Sequence, residues 1–463
     1  MNGKGQSLGS LRMNVILLSI FLTMDTILGN QIDDGFQVDD NSCMDYYMNF
    51  TQKCECFMDN RYLYELICSD FVAPSMNFNY SEIRFLNVSN PQILLNGFRN
   101  IIVERLIMSN CNLIDFNDQA QFTYTTGLEY LDISNNQVKE LDFSDISFWK
   151  CMINLNLAHN PLREDVNVVN KILEYSPKLK HLNMSYCNIT TIPRYLVKHQ
   201  HLEILLLAGN RLRVYSVDNI LRHLHNLAVL DLSYNNLEQF PKGVTNWQIK
   251  HDKMKLLILK GNHLRQMPHI NFGKLIRLDV SSNLIETFRA DILFQCDQLQ
   301  FVNLSNNKLF SLDNFTSRIK APKQETDKHN EYEEHRHIYL DLQYNNITQV
   351  EQCAFPSNYT NTFTKWNIEV TIDSPSLQCS CGVASLVYRH TTNKELSCYS
   401  VEYQRSILSK DRYFVHYVCP NIDELTCSVN YLTTSSSRST LSLNYMTTAY
   451  WIYGLISLFI ILL

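Results

Sequence analysis

The sequence predicts an α/β solenoid: a curved horseshoe with a parallel sheet on its concave face and a disulfide-linked cap at each end. Three observations predict it. The motif LxxLxLxxN recurs in near-constant phase through the middle of the chain. Cysteines cluster early, at Cys43, Cys54, Cys56 and Cys68, and late, at Cys379, Cys381, Cys398, Cys419 and Cys427. Apolar stretches stand at both termini of an otherwise mixed chain of 463 residues.

The N-terminus carries Lys4 and Arg12, then VILLSIFLTMDTILG. A basic start, an apolar run and a small residue at Gly29 read as a secretory signal over 1–29, with Met13 as an alternative start. In a secreted chain, 14 cysteines predict disulfides. Residues 30–82 are read as an N-terminal cysteine cap, whose four cysteines permit three pairings. Lysine plus arginine total 40 against 46 acids, a formal net charge of −6, which gives no basis for a nucleic-acid partner.

Residues 83–372 are read as the solenoid. Copies begin at Ile83, Val103, Leu128, Met152, Leu179, Leu202, Leu227, Met254, Leu275, Leu299 and, with a polar first position, His337. Most spacings are 20–27 residues, the range of leucine-rich repeats. The LxL segment alternates and forms a short strand, such as Leu131–Asp132–Ile133. The asparagine that follows turns the chain, and its amide satisfies backbone groups from copy to copy. Cys111 and Cys187 stand at that position and read as buried ladder residues rather than reactive thiols. Pro91 stands there in the first copy. One coil cannot bury its own apolar edges, so several must stack and the ends need caps. Strands ~4.8 Å apart make one sheet, and a more widely spaced outer arc curves the body. Between Leu299 and His337 the phase breaks at SRIKAPKQETDKHNEYEEHRH, expected to be an enlarged loop at about 318–336. That loop is either a solvated insertion or a partner-binding or processing segment. Its EEHRH run offers no defined metal geometry.

A C-terminal cysteine cap is expected over 373–427, a Ser/Thr-rich spacer over 428–448 and an apolar segment over 449–463. The apolar segment is shorter than the ~20 residues of a helical span. Small residues at Ser435, Ser436 and Ser437, a spacer and an apolar tail match a lipid-anchor signal. A cropped longer span and a short span stand as alternatives.

These residues together resemble the extracellular leucine-rich-repeat superfamily with N- and C-terminal cysteine caps, in particular the ectodomains of Toll-like receptors and chaoptin. The resemblance implies pairing of Cys43 with Cys54, Cys56 with Cys68, Cys379 with Cys398, and Cys381 with Cys419. Two departures stand out. SPSLQCSC lacks the bulky residue the family places before its CxC. Cys427 is an additional cysteine, left to pair with Cys353, to stay free or to link two molecules.

Nine Asn-x-Ser/Thr sequons predict a glycoprotein, at Asn49, Asn79, Asn87, Asn183, Asn188, Asn303, Asn314, Asn346 and Asn358. Asn87, Asn183 and Asn303 fall between strand leucines, so glycans there would shade the sheet and leave the stretch between Asn183 and Asn303 open. The outward positions of that window are Glu203, Ile204 and Leu206; Ala228, Val229 and Asp231; Lys255, Leu256 and Ile258; and Ile276, Arg277 and Asp279. The strip is unusually aliphatic for a solvated strand face. Tyr186, Tyr234 and Tyr344 recur at the strand ends and add interface chemistry. The bland alternative is ordinary edge packing.

No HExxH, GxSxG, Walker or dinucleotide motif is present. His159, His181 and His251 read as solvated or structural, so no enzyme, cofactor or metal is expected. The expected function is a surface recognition or adhesion glycoprotein on the extracellular face of the plasma membrane, held there by its C-terminal segment or a lipid anchor. Its partner would be a protein, a glycoconjugate, a second copy or a co-receptor. The alternative is a Toll-like innate immune ectodomain, truncated or acting as decoy or co-receptor, without a cytoplasmic signalling domain of its own.

Overall fold

The computed structural model describes residues 54–58, 64–69, 79–85 and, with interruptions, 102–421. The signal segment, Cys43, residues 314–333, Cys353, Cys427, His251, the spacer and the apolar tail lie outside the described residues, as do Asn49, Asn87, Asn314 and Asn358. The chain divides into two units. One comprises Met1–Phe310, Ile338–Asn346 and Val370–Ser374; the other comprises Ser311–His337, Ile347–Glu369 and Pro375–Leu463.

The first unit is built on one sheet. Cys54–Met58 runs antiparallel to Tyr64–Cys68, which directly opposes Cys68 to Cys54. Every further strand is parallel, from Asn79–Phe85 and Ile102–Ile107 through Tyr130–Asp132, Asn154–Asn156 and onward to Phe301–Asn303. Most are three residues long because each copy supplies one buried leucine between two outward side chains. Leu131, Leu155, Leu182, Leu205, Leu230, Leu257 and Leu278 stand in direct register, and none is more than 2% exposed. The side chain at the first motif position, such as Leu179, Leu202 and Leu227, is also fully buried. The core is a continuous stack to which each copy contributes its apolar edge.

The first copy is out of phase with the sequence reading. Tyr80 pairs with Val103 and Ile83 with Leu106, so the copy starts at Tyr80, not Ile83. Tyr80, Ile83 and Phe85 are the residues fully buried there. Tyrosine has enough apolar area for the first position. The end of the insertion differs as well. The strand Glu334–Asp341 begins inside the expected loop, so most of EEHRH lies on a strand.

The ninth motif position carries the asparagine ladder as expected. Asn235 Nδ2 donates to the carbonyls of Leu207, Leu232 and Ser233, and its Oδ1 accepts from the Leu212 amide. Asn210, Asn262, Asn283, Asn307 and Asn345 repeat this pattern. Cys111 and Cys187 take the same place, with Sγ donating to the carbonyls of Phe85 and Leu157 in an earlier copy. Burial pushes the Cys187 thiol up to about 12.

The residue before the ladder position has a left-handed backbone in every described copy from Asn110 to Tyr344. Glycine takes that conformation without strain, and asparagine tolerates it better than other side chains. Here the position holds Asn135, His159, Tyr186, Gly209, Tyr234, Gly261 and others. His159 stacks on Tyr186 with ring centroids 4.5 Å apart.

In the second unit, Ser311–Leu312 pairs with Gln349–Val350 in parallel, and Ser397–Ser400 pairs with Arg405–Leu408 in antiparallel. Cys379 bonds to Cys398 and Cys381 to Cys419, the pairings the family resemblance implies. The second bridge ties the helix Cys381–Arg389 to the C-terminal end of Phe414–Val418, around Ala384. Gly382 sits against the Val350 carbonyl, where no Cβ would fit. Leu377 is fully buried just before the CxC, where a bulkier residue was expected. At the other end Cys68 is disulfide-bonded.

Candidate ligand-binding face

The parallel register gathers the expected window into two adjacent columns on one side of the sheet. Ile204, Val229, Leu256 and Arg277 are successive direct partners, and Leu206, Asp231, Ile258 and Asp279 form the column beside them. Neighbouring strands are ~4.8 Å apart, so these side chains touch along each column and cover one another.

That mutual cover corrects the expectation that all twelve window positions lie open. Ile204 is 5%, Arg277 9% and Asp279 8% exposed. The Arg277 guanidinium lies 4.3 Å from the centre of the Phe301 ring, and Phe301 in turn stacks on Tyr339. Burial pulls the Arg277 pKa below its usual value, with Asp279 opposing the shift. Asp279 accepts from the amide and hydroxyl of Ser281. Leu206, Val229, Asp231, Leu256 and Ile258 are half-buried. They form a contiguous aliphatic surface with one carboxylate in it. Burial raises the Asp231 pKa, while its hydrogen bonds from Ser233 act in the other direction.

Glu203, Ala228, Lys255 and Ile276 form a further row along the strand entry, linked by successive backbone bonds. Lys255 is exposed there, and Glu203 pairs with Lys180 at 3.3 Å. Tyr186 and Tyr234 do not join the strip. They stand in the left-handed row where the chain leaves the strands, 45% and 47% exposed. Of the described sequons, Asn79, Asn188 and Asn346 are exposed, Asn183 is half-buried and Asn303 is buried.

Sequence reasoning passed over a charged group at the other end of the sheet. Glu82 accepts from Arg84 and, at 2.9 Å, from Arg105. The Arg105 guanidinium lies 4.1 Å from the centre of the Tyr130 ring. Burial, then the Asp132 carboxylate, pushes the Tyr130 phenol up to about 12. These residues meet only through register, Glu82 with Arg105 and Arg105 with Tyr130. Aligning the copies by their strand leucines is the signal that finds them. Among the described residues, no group of three or more His, Cys, Asp or Glu could hold a metal ion.

A buried leucine per copy, a ladder of asparagines with two cysteines, and paired cysteines around a CxC helix decide the fold. The chain has the leucine-rich-repeat fold and resembles the extracellular proteins built on it. The Leucine Rich Repeat family model matches residues 178–198, the copy that holds Leu179 and Cys187. Toll-like receptor 2 type-2 of Gallus gallus is 25% identical over 241 residues, covering 51% of this chain and 28% of that protein. Lumican of Rattus norvegicus is 25% identical over 221 residues, covering 42% of this chain and 62% of that protein. The mouse RP105/MD-1 complex has a chain matching with a TM-score of 0.49 and 18% identity, over 72% of this chain and 57% of that one. The leucine-rich-repeat chain thus spans less than two thirds of the curated relatives it matches here. Among the described residues, no helix is long and apolar enough to cross a membrane.

Proposed function

We propose that this leucine-rich-repeat domain is an extracellular recognition or adhesion module, and that it binds a protein partner through the sheet face centred on Leu256 and Ile258. The observation that carries this reading is the half-buried aliphatic surface of Leu206, Val229, Leu256 and Ile258 on three adjacent strands. A solvated strand face gains nothing from aliphatic side chains, whereas a partner's apolar anchor gains by covering them. Asp231 within this surface and Lys255 at its margin favour an anchor that carries charges of both signs beside its apolar part. The relatives, which include receptors and lumican, support a general ligand-binding or adhesion role.

The test is cell staining with the tetramerised ectodomain. Bound tetramer should be lost when target cells are treated with protease, and with the double variant Leu256→Glu and Ile258→Glu. Undiminished staining by a folded double variant sinks the proposal for this face. Loss on glycosidase but not protease treatment replaces the protein partner by a glycoconjugate.

A second reading is a Toll-type immune ectodomain, favoured by the matched stretches of Toll-like receptor 2 type-2 and Toll-like receptor 8. In that reading it acts together with a Toll-type receptor. Co-expression with a Toll-type reporter should then change the reporter's response to microbial extracts.

A further inference from the structure

The nine sequons are not equivalent once the chain is folded. Two of them, Asn188-Ile-Thr and Asn346-Ile-Thr, occupy one structural position: each asparagine directly follows the ladder residue, Cys187 or Asn345. Both are exposed. Asn188 has a left-handed backbone, φ 59, so its side chain stands on a turn rather than in a strand. The ladder side chain that precedes each is buried and hydrogen-bonded, which holds the rim rigid while the next residue points to solvent.

Asn303 is the opposite case. Its side chain is 8% exposed. Oδ1 accepts from the amide and the hydroxyl of Ser305, the serine of its own sequon, at 3.0 and 2.7 Å. Nδ2 faces the Asp279 carboxylate at 3.4 Å, and the direct partner on the other side is Asp341, itself 1% exposed. A sugar leaves an asparagine from Nδ2, so a glycan here would have to start inside a closed row of polar side chains.

We propose that Asn188 and Asn346 carry N-linked glycans in the mature protein and that Asn303 carries none. The inference rests on the extracellular reading above. The two glycans then stand on one rim, and the copies between them present Arg211, Asn236, His263, Leu284 and Lys308 at the same position, none in a sequon. That stretch of rim then stays free of sugar, so a partner reaches the aliphatic strip over it.

The experiment uses the full chain expressed in a glycosylating eukaryotic cell line. Protein recovered from the cell surface or medium is treated with peptide N-glycosidase in heavy-oxygen water, which converts each glycosylated asparagine to labelled aspartate, and is mapped by mass spectrometry. Label at Asn188 and Asn346 and none at Asn303 is the expected result. Label at Asn303, or its absence from Asn188 or Asn346, overturns the proposal and leaves surface recognition standing. Chain that stays in the cytosol without label at any sequon overturns the extracellular reading as well. As a check without mapping, Asn188→Gln and Asn346→Gln should each increase gel mobility by one glycan step, and Asn303→Gln should not change it.

Discussion

The ring of Tyr186 lies against Gly209 of the next copy so closely that a Cβ at Gly209 would stand only 2.2 Å from the ring's Cδ1. Tyr234 covers Gly261 in the same way. Tyrosine and glycine therefore alternate along the left-handed row for a steric reason: each ring needs a following residue with no side chain. Gly209 also has φ +64, which adds a backbone penalty to any substitution. Gly209→Ala should lower stability by about 2–3 kcal/mol, combining left-handed strain with loss of the Tyr186 stack on His159. Gly273, which has nothing within 4 Å of an added Cβ, is the control. Gly273→Ala should be neutral or stabilise by up to ~1 kcal/mol. Denaturant midpoints for the two variants decide the matter, and equal effects would refute the steric account.

The ladder makes a second prediction. Asn235→Ala leaves the buried Leu212 amide without the partner that Asn235 supplies, while the Leu207 carbonyl keeps its bond from Asn210 Nδ2. One orphaned backbone amide costs roughly 1–3 kcal/mol. Amide exchange of Leu212 should quicken in the variant, while that of copies several strands away should not. An unchanged Leu212 rate would mean that water replaces the side chain.

Cys187 tests the same ladder from its sulfur side. With its thiol raised to about 12 by burial, the reactive thiolate is scarce at ordinary pH. Iodoacetamide at about pH 8 should leave Cys187 unmodified in the folded protein and modify it in denaturant. Rapid labelling of the folded protein would show that the copy around Cys187 opens.

Much of this was legible in the sequence because the motif encodes burial directly. The leucines of the LxL segment and the asparagines after it can serve one purpose only in a stacked coil. The disulfides around Cys379 and Cys381 followed from resemblance, since spacing alone leaves their pairing open. The phase of the first copy was not legible: Ile83 and Leu86 imitate a repeat start as well as Tyr80 and Ile83 do, and no asparagine fixes the ninth position. Nor was the burial of Ile204, Arg277 and Asp279, which comes from neighbours two dozen residues away in sequence. The row of Tyr186, Gly209, Tyr234 and Gly261 is written plainly in the chain, but only a reader who aligns the position before the ladder sees the alternation.

Asp341 gives the site a pH dependence. Its Oδ1 accepts from the Gln343 amide and the Thr371 hydroxyl. Its Oδ2 is buried without a hydrogen-bond partner. Burial raises the Asp341 pKa, and the Asp279 charge adds to the shift, while the bonds from Gln343 and Thr371 oppose it. A carboxyl with a raised folded-state pKa contributes stability that is fully present below its unfolded value of ~3.9 and is lost as pH rises through the folded value. The folded form holds the proton more tightly, so deprotonation is paid in stability by up to ~1.4 kcal/mol per pH unit across that window. Asp341→Asn cannot titrate. Its stability relative to the parent chain should therefore improve as pH rises from about 4 to about 7, whatever constant offset its amide introduces. Asp231, whose pKa is also raised, is present in both proteins and cancels from the difference. Urea midpoints measured in parallel across that range check the slope; a difference that stays flat with pH would mean that Oδ2 finds a partner in solution and that Asp341 is ionised throughout.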